Sequence, residues 1–184
     1  FHTGGCVCCV IGAMSQRATQ VLVEAFDPGL VIELMQRYRC NAMLGVPTML
    51  VAMMEHPSFA SADLSSVNAI YSGGSTVPAA IVTALEQQLG APFTIVYGQT
   101  ECSPVALMTW ATDTIADKAG TIGTPMPNVE VKIVDPGTGQ TVPIGEIGEI
   151  CTRGYHIMHG YFENEAATRA AIDPEGWLHT GDLG

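Results

Sequence analysis

Four short apolar runs alternate with stretches of helical character before residue 98, and this alternation limits the fold more than any other feature. The runs are Gln20–Val23, Asn41–Val46, Val67–Tyr71 and Phe93–Val96. Each is too short for a helix and nearly continuous in apolar residues, the pattern of strands buried on both faces. Helix signals fill the gaps. A small-residue apolar segment, Gly5 to Ser15, reads as a first helix. Asp27-Pro28 reads as an N-cap with proline at the first helical position, and Leu30, Val31, Leu34 and Tyr38 then share a face. Pro47 to Glu55 is the next helix. Another starts at Pro78, lines up Ile81, Val82, Leu85 and Leu89, and ends at Gly90 in a C′ position. Strands alternating with helices predict an α/β unit over residues 1–110, a parallel sheet with flanking helices on both faces.

Beyond about Trp110 glycine, proline and threonine become dense and the helical period fades. Val129–Val134 alternates with period two, Asp135–Gly139 is a turn, and Glu149–Arg153 is a returning strand. A short helix, Asn164 to Ala171, precedes a glycine-bracketed turn, Gly176 to Asp182. Residues 111–184 are thus expected to form a small antiparallel β subdomain. No internal repeat or low-complexity linker interrupts the chain.

Hydrophobic residues make up 47% of the chain and charged residues 14%, which suits a packed interior and little disorder. A formal charge of −11 with 7 Lys and Arg supplies no positive patch, so nucleic acid and anionic membranes are excluded as main partners. An acidic chain can still receive phosphates through backbone N–H groups, helix N-termini and a metal ion. Cys6, Cys8, Cys9, Cys40, Cys102 and Cys151 have no second Cys or His pair at zinc-ligand spacing and read as buried free thiols, which favours a reducing, cytoplasmic setting. The longest apolar stretch, Met43 to Met54, contains Pro47 and is too short to cross a bilayer. Phe1 and Gly184 read as cut ends of a longer protein.

In a parallel α/β sheet, ligands collect beyond the carboxyl ends of the strands. Two strings fall there: Ser72-Gly73-Gly74-Ser75-Thr76 and Tyr97-Gly98-Gln99-Thr100-Glu101. A glycine pair at a strand-to-helix turn can be a backbone necessity alone. It lacks the lysine and wider spacing of a Walker loop. Tyr97 alone could be a core tyrosine and Glu101 a solvated carboxylate. Together, with Asp182 in Gly176-Trp177-Leu178-His179-Thr180-Gly181-Asp182, they offer a ring for a purine, an oxygen ligand for a hard cation and an acceptor for ribose hydroxyls.

In residue types and order these strings resemble the adenylate-forming (AMP-binding) superfamily, and most of all its fatty and medium-chain acyl-CoA synthetases. The resemblance runs from Phe1 to Gly184 and implies an internal piece of the N-terminal domain. It implies that Tyr97 stacks on adenine, that Thr100 contacts the α-phosphate, and that Glu101 helps hold Mg²⁺. Thr100 and Glu101 are the catalytic candidates, and Gly98 and Gln99 complete the nucleotide-binding string. Gly73, Gly74 and Ser75 would border the base through their backbone, and Asp182 would hold both ribose hydroxyls. Gly120–Pro125 and Gly145–Ile150 look like family strings that shape the β unit rather than touch substrate.

Phe1–Gly5 is similar to a segment that borders the acyl group, which makes His2 a candidate pocket wall; a helix N-cap region is the alternative. No acidic residue precedes Glu24 to meet a substrate ammonium, and Gly4, Gly5, Cys6 and Gly12 leave room for an uncharged tail. The implied activity is ATP-dependent activation of a fatty or medium-chain acid to an acyl-adenylate and then an acyl-CoA thioester. ATP/AMP, Mg²⁺ and coenzyme A would take part. An aryl-CoA ligase of the hydroxycinnamate type and a non-catalytic nucleotide-binding relative are the alternatives. The family's phosphate loop and its C-terminal lysine have no counterpart in this sequence, so the isolated chain is expected not to turn over.

Overall fold

The computed structural model describes residues 2–184. Its larger sheet has the strand order β1 (Ala42–Leu44), β2 (Ala69–Gly73), β3 (Phe93–Tyr97), β4 (Leu107–Met108) and β5 (Thr124–Pro125). The first pairs, β1 with β2 and β2 with β3, are parallel, whereas β4 and β5 join antiparallel. The second sheet is an antiparallel meander of β6 (Val129–Val134), β7 (Glu149–Gly154) and β8 (Leu178–Leu183). The expected α/β unit followed by a small antiparallel unit is therefore what forms.

Helices form where the sequence supplies their ends. After a short α1 (Gly12–Ser15), α2 (Pro28–Arg37) starts at Asp27, whose carboxylate accepts the Leu30 N–H. α3 spans Pro47–Glu55, and α4 (Ala79–Leu89) ends on Gly90 in the left-handed conformation, φ 64°. These three helices share one core with the sheet: Ile32 and Met35, Leu50 and Met53, and Ile81, Val82 and Leu85 enclose Ile70, Phe93 and Ile95. On β2 burial alternates, with Ile70 and Ser72 buried and Ala69, Tyr71 and Gly73 half-buried. The helices α2, α3 and α4 thus cover the face of β2 that carries Ile70. The buried face of α2 is only partly the expected one: Val31 packs against the core and Leu34 is half-buried. Ile32 and Met35 point inward, while Leu30 and Tyr38 are 41% and 55% exposed.

Other departures have local causes. Gln20–Val23 is not a strand; it has no neighbouring strand among the described residues, and Leu22 is 73% exposed. The first helical segment opens as a π-helix, Gly4–Ile11, which leaves Cys6, Cys8 and Cys9 half-buried rather than enclosed. Cys40 is half-buried too, while Cys102 and Cys151 are buried, and all six thiols are free. Two short pieces escape the sequence pattern: β4, and α5 (Ile115–Gly120), capped by Thr114, whose hydroxyl accepts the Asp117 N–H. Farther on, α6 (Glu165–Ala171) starts where expected, with Asn164 accepting the Ala167 N–H. Among the described residues no helix is long and apolar enough to cross a membrane.

A second apolar cluster joins the two sheets. Cys102, Ala106 and Leu107 pack with Leu178 of β8, and Tyr97, Val131 and Ala171 lean on them. The sheets therefore meet near the end of β3, where the Tyr97–Glu101 string emerges.

Candidate functional site

A cleft of about 740 Å³ opens between the two sheets. One wall is the exit of β2 and β3: Gly74, Ser75 and Thr76, then Ile95 through Gly98. The facing wall comes from the small sheet, with Val131 and Ile133 of β6, Ile150 of β7, and Asp182 through Gly184 at the end of β8. The turn after β2 can enter this space because β2 and β3 approach closely at Gly73. A Cβ there would strike the Val96 carbonyl oxygen, so a side chain at 73 cannot coexist with the strand pair. Gly74 follows with φ 79°, a conformation that glycine adopts freely.

Tyr97 and Asp182, far apart in sequence, meet in this cleft. The Tyr97 hydroxyl donates to Asp182 Oδ2 at 2.7 Å. Asp182 is exposed and its backbone N–H donates to Thr180 Oγ1 at 3.1 Å. A carboxylate offers about four acceptor sites, so Asp182 keeps capacity for further donors. Burial pushes the Tyr97 hydroxyl well above its ordinary pKa; the bond to Asp182 and its negative charge push the same way, and the Thr180 hydroxyl opposes them.

The sign of that shift has a consequence. A phenol raised in the folded state contributes stability that is fully present below its unfolded value of 10.0, and loses it as pH rises through the folded value. A tyrosinate absorbance titration of Tyr97→Phe against wild type should therefore lose a step that ionises well above pH 10. Loss of a step in the ordinary phenol range would show that Tyr97 is solvated and unpaired.

Thr100 and Glu101 lie just past the cleft, on the 3₁₀ turn Thr100–Cys102 that follows β3. Neither lines the cleft itself. Thr100 is exposed, and Glu101 Oε1 accepts the Tyr161 hydroxyl at 2.8 Å. The Glu101 carbonyl accepts the Met158 N–H at 2.8 Å, which ties this turn to the segment before α6. Glu101 Oε2 has no hydrogen-bond partner among the described residues, and a free carboxylate oxygen on a turn is the donor type a hard cation takes. Gly98 reaches the cleft but Gln99 does not. His2 is exposed and lies outside the cleft wall; its ring Nδ1 is 3.3 Å from the Thr3 hydroxyl and its carbonyl accepts the Cys6 N–H at 2.7 Å.

Two sequence expectations need correction. Asp182 sits within strand β8 rather than in a turn, because Gly181 at φ 76° bends the strand without ending it. The Gly120–Pro125 string, expected to shape the β unit without touching ligand, contributes Gly120 through Gly123 to the cleft wall. The signal was available in the glycines. A Cβ on Gly123 would overlap the Met108 carbonyl, so this segment lies tight against β4 and thereby borders the cleft. The apolar floor of Val131, Ile133 and Ile150 also escapes the sequence reading, although the period-two pattern of β6 already puts Val131 and Ile133 on one face.

Comparison with known proteins agrees with this geometry. YngI of Bacillus subtilis (strain 168), a candidate acyl-CoA synthetase, is 44% identical over 184 residues, all of this chain and 34% of that protein. The 4-coumarate–CoA ligase 4 of Arabidopsis thaliana is 37% identical over 186 residues, again all of this chain and 33% of its own length. The chain thus spans about a third of the length of these relatives. Among solved structures, the anthranilate CoA ligase AuaEII in complex with anthranoyl-AMP superposes with a TM-score of 0.90 at 27% identity, over 99% of this chain and 35% of that one. The o-succinylbenzoate CoA synthetase of Bacillus subtilis, in complex with its acyl-adenylate intermediate, superposes with a TM-score of 0.84 at 28% identity, over 100% of this chain and 36% of that one. The sequence profile described as "AMP-binding enzyme" matches residues 1–162, which include the Tyr97 motif and most of the cleft. That match, over most of a chain folded into this pair of sheets, makes the chain a member of the AMP-binding enzyme family.

Proposed function

We propose that the full-length protein activates a carboxylic acid with ATP, forming an acyl-adenylate and pyrophosphate, and then transfers the acyl group to the thiol of coenzyme A. The observation that carries this reading is the 2.7 Å bond that places the Tyr97 ring and the Asp182 carboxylate in one cleft. In this reading adenine lies on the ring of Tyr97, with the backbone of Gly73, Gly74 and Ser75 along its edge. Base stacking on an aromatic ring is worth about 1–3 kcal/mol. Asp182 accepts both ribose hydroxyls, which directs the α-phosphate toward Thr100 and Glu101.

The carboxylate of the substrate attacks the α-phosphorus, the bond to the bridging oxygen breaks, and pyrophosphate leaves. Thr100 steadies an α-phosphate oxygen. Glu101, with Oε2 free, would hold Mg²⁺, which when bound neutralises charge on the phosphoryl oxygens. The thiol of coenzyme A then displaces AMP. Alignment of nucleophile and leaving group accounts for most of the rate, and no side chain of this chain forms a covalent bond.

For the acid, the reading is a fatty or medium-chain substrate. The glycine-rich π-helix Gly4–Ile11 leaves space, since a Cβ on Gly5 would meet nothing, and no carboxylate precedes Glu24 to hold an ammonium. His2 remains the proposed residue beside the acyl group. A second reading, an aromatic acid, draws on the 4-coumarate–CoA ligases among the relatives. Coenzyme A-dependent release of AMP by the full-length protein, with octanoate, palmitate and coumarate compared, separates the two. The first reading expects the aliphatic acids to be preferred; turnover of coumarate alone overturns it in favour of the second, and no turnover with any acid removes the activity itself.

A further inference from the structure

We propose that Glu149 is a positioning residue that aims Asp182 at the nucleotide, an inference that rests on the reading of Asp182 as the ribose acceptor. The pairing of β7 with β8 is irregular: Cys151 faces His179 and Glu149 faces Leu183, so Thr180, Gly181 and Asp182 stand opposite Ile150 alone. Asp182 therefore rides on a bulge, a device that re-aims a side chain at the cost of ladder bonds. At its centre is Gly181, at φ 76° with open space around it, which by itself would let the bulge adopt other shapes.

Glu149 supplies the restraint. Its Oε1 accepts the Gly181 N–H at 2.9 Å, and its Oε2 accepts the His179 Nδ1–H at 2.8 Å. One carboxylate thus grips the bulge at its glycine and at the residue before Thr180. Glu149 is only 15% exposed at its side chain, so water competes weakly for these bonds. Thr180 completes the hold, donating to the Ile150 carbonyl at 2.7 Å while accepting the Asp182 N–H at 3.1 Å. Glu149 lies outside the cleft wall, so it acts on the ligand through Asp182 alone.

Glu149, Cys151 and His179 lie close enough together to share a cation. The 2.8 Å separation argues for the clasp instead, because it is a hydrogen-bond length and shorter than the spacing of two ligands each about 2.0–2.1 Å from one tetrahedral zinc. The His179 Nε2 faces Asp173 Oδ2 at 3.8 Å, which leaves the ring between two carboxylates.

The test compares binding of AMP and 2′-deoxy-AMP by the full-length protein and its Glu149→Asp, Glu149→Gln and Asp182→Ala variants. Gln keeps an acceptor for Gly181, whereas Asp withdraws it by one methylene. If wild type favours AMP by about tenfold or more, as loss of one bond to a charged acceptor implies, Glu149→Asp should cut that preference to under about threefold. Glu149→Gln should keep most of it, with thermal midpoints of both variants close to each other. Glu149→Asp retaining the full preference overturns the proposal while leaving the site reading intact. Asp182→Ala retaining it overturns both. Tight Zn²⁺ binding by wild type, titrated with the metal alone and abolished in Cys151→Ser, replaces the clasp with a metal site.

Discussion

Replacing Asp182 with alanine should raise the KM for ATP of the full-length protein by about a hundredfold or more, with a smaller change in kcat. Two hydrogen bonds from ribose to a carboxylate are worth roughly 1.5–3 kcal/mol each. Their loss corresponds to about 10² to 10⁴ in affinity, and the exposure of Asp182 argues for the lower end. The effect should fall on KM because the sugar is held alike before and during phosphoryl attack. Asp182→Asn, which still accepts but carries no charge, should lose less, about tenfold. Folding should be nearly unaffected, since the Tyr97 hydroxyl loses its 2.7 Å acceptor at the edge of an open cleft. A KM within about threefold of wild type in Asp182→Ala would mean that the sugar is held elsewhere.

Lys118→Met should cost more stability than removal of any other single charge among the described residues. Lys118 is 2% exposed, and its Nζ donates to Glu86 Oε1 at 2.8 Å and to the Ala111 carbonyl at 3.1 Å. The same Glu86 oxygen accepts the Phe93 N–H at 2.8 Å, so one carboxylate ties α4 to the start of β3 and to α5. Removing the lysine leaves Glu86, 20% exposed, without its counter-charge. Breaking a buried pair from one side costs about 3–5 kcal/mol, and the partial exposure of Glu86 points to about 3. For a chain of this length that lowers Tm by about 6–12 °C. Adding Glu86→Gln should restore part of the loss, because the stranded charge rather than the missing attraction dominates. Since α5 leads directly into Gly120–Gly123 of the cleft wall, nucleotide affinity should weaken along with stability. Thermal unfolding of the single and double variants decides it; a single-variant loss under about 1 kcal/mol would show that water already reaches Glu86.

What the sequence could reveal follows from how local each cause is. The limits of β6, the cap of α6 at Asn164 and the end of α4 at Gly90 depend on neighbours within a few residues, and each is legible. Gln20–Val23 has the composition of a strand, but pairing requires a partner that composition does not reveal. The inward face of α2 departs from its periodicity because Ile32 and Met35 are selected by α3 and the sheet, while Leu30 and Tyr38 have equal apolar character and face outward. Lys118 has no signal in the sequence because a lone lysine reads as surface until Glu86 is brought to it from α4.

The site shows the same division. Tyr97 and Asp182 are legible from residue type and order, and their meeting is a spatial expectation that the 2.7 Å bond bears out. The parts supplied by Gly120–Gly123, and the grip of Glu149 on Gly181, depend on strand register between distant segments. Among the described residues His2 has no contact that brings it to the cleft, and its place beside an acyl group remains a proposal.

The most direct measurement is a crystal structure of the full-length protein with AMP bound. The account predicts the purine packed against the ring of Tyr97 and both ribose hydroxyls within hydrogen-bond distance of the Asp182 carboxylate. A nucleotide seated outside this cleft, or one whose ribose makes no contact with Asp182, would contradict it.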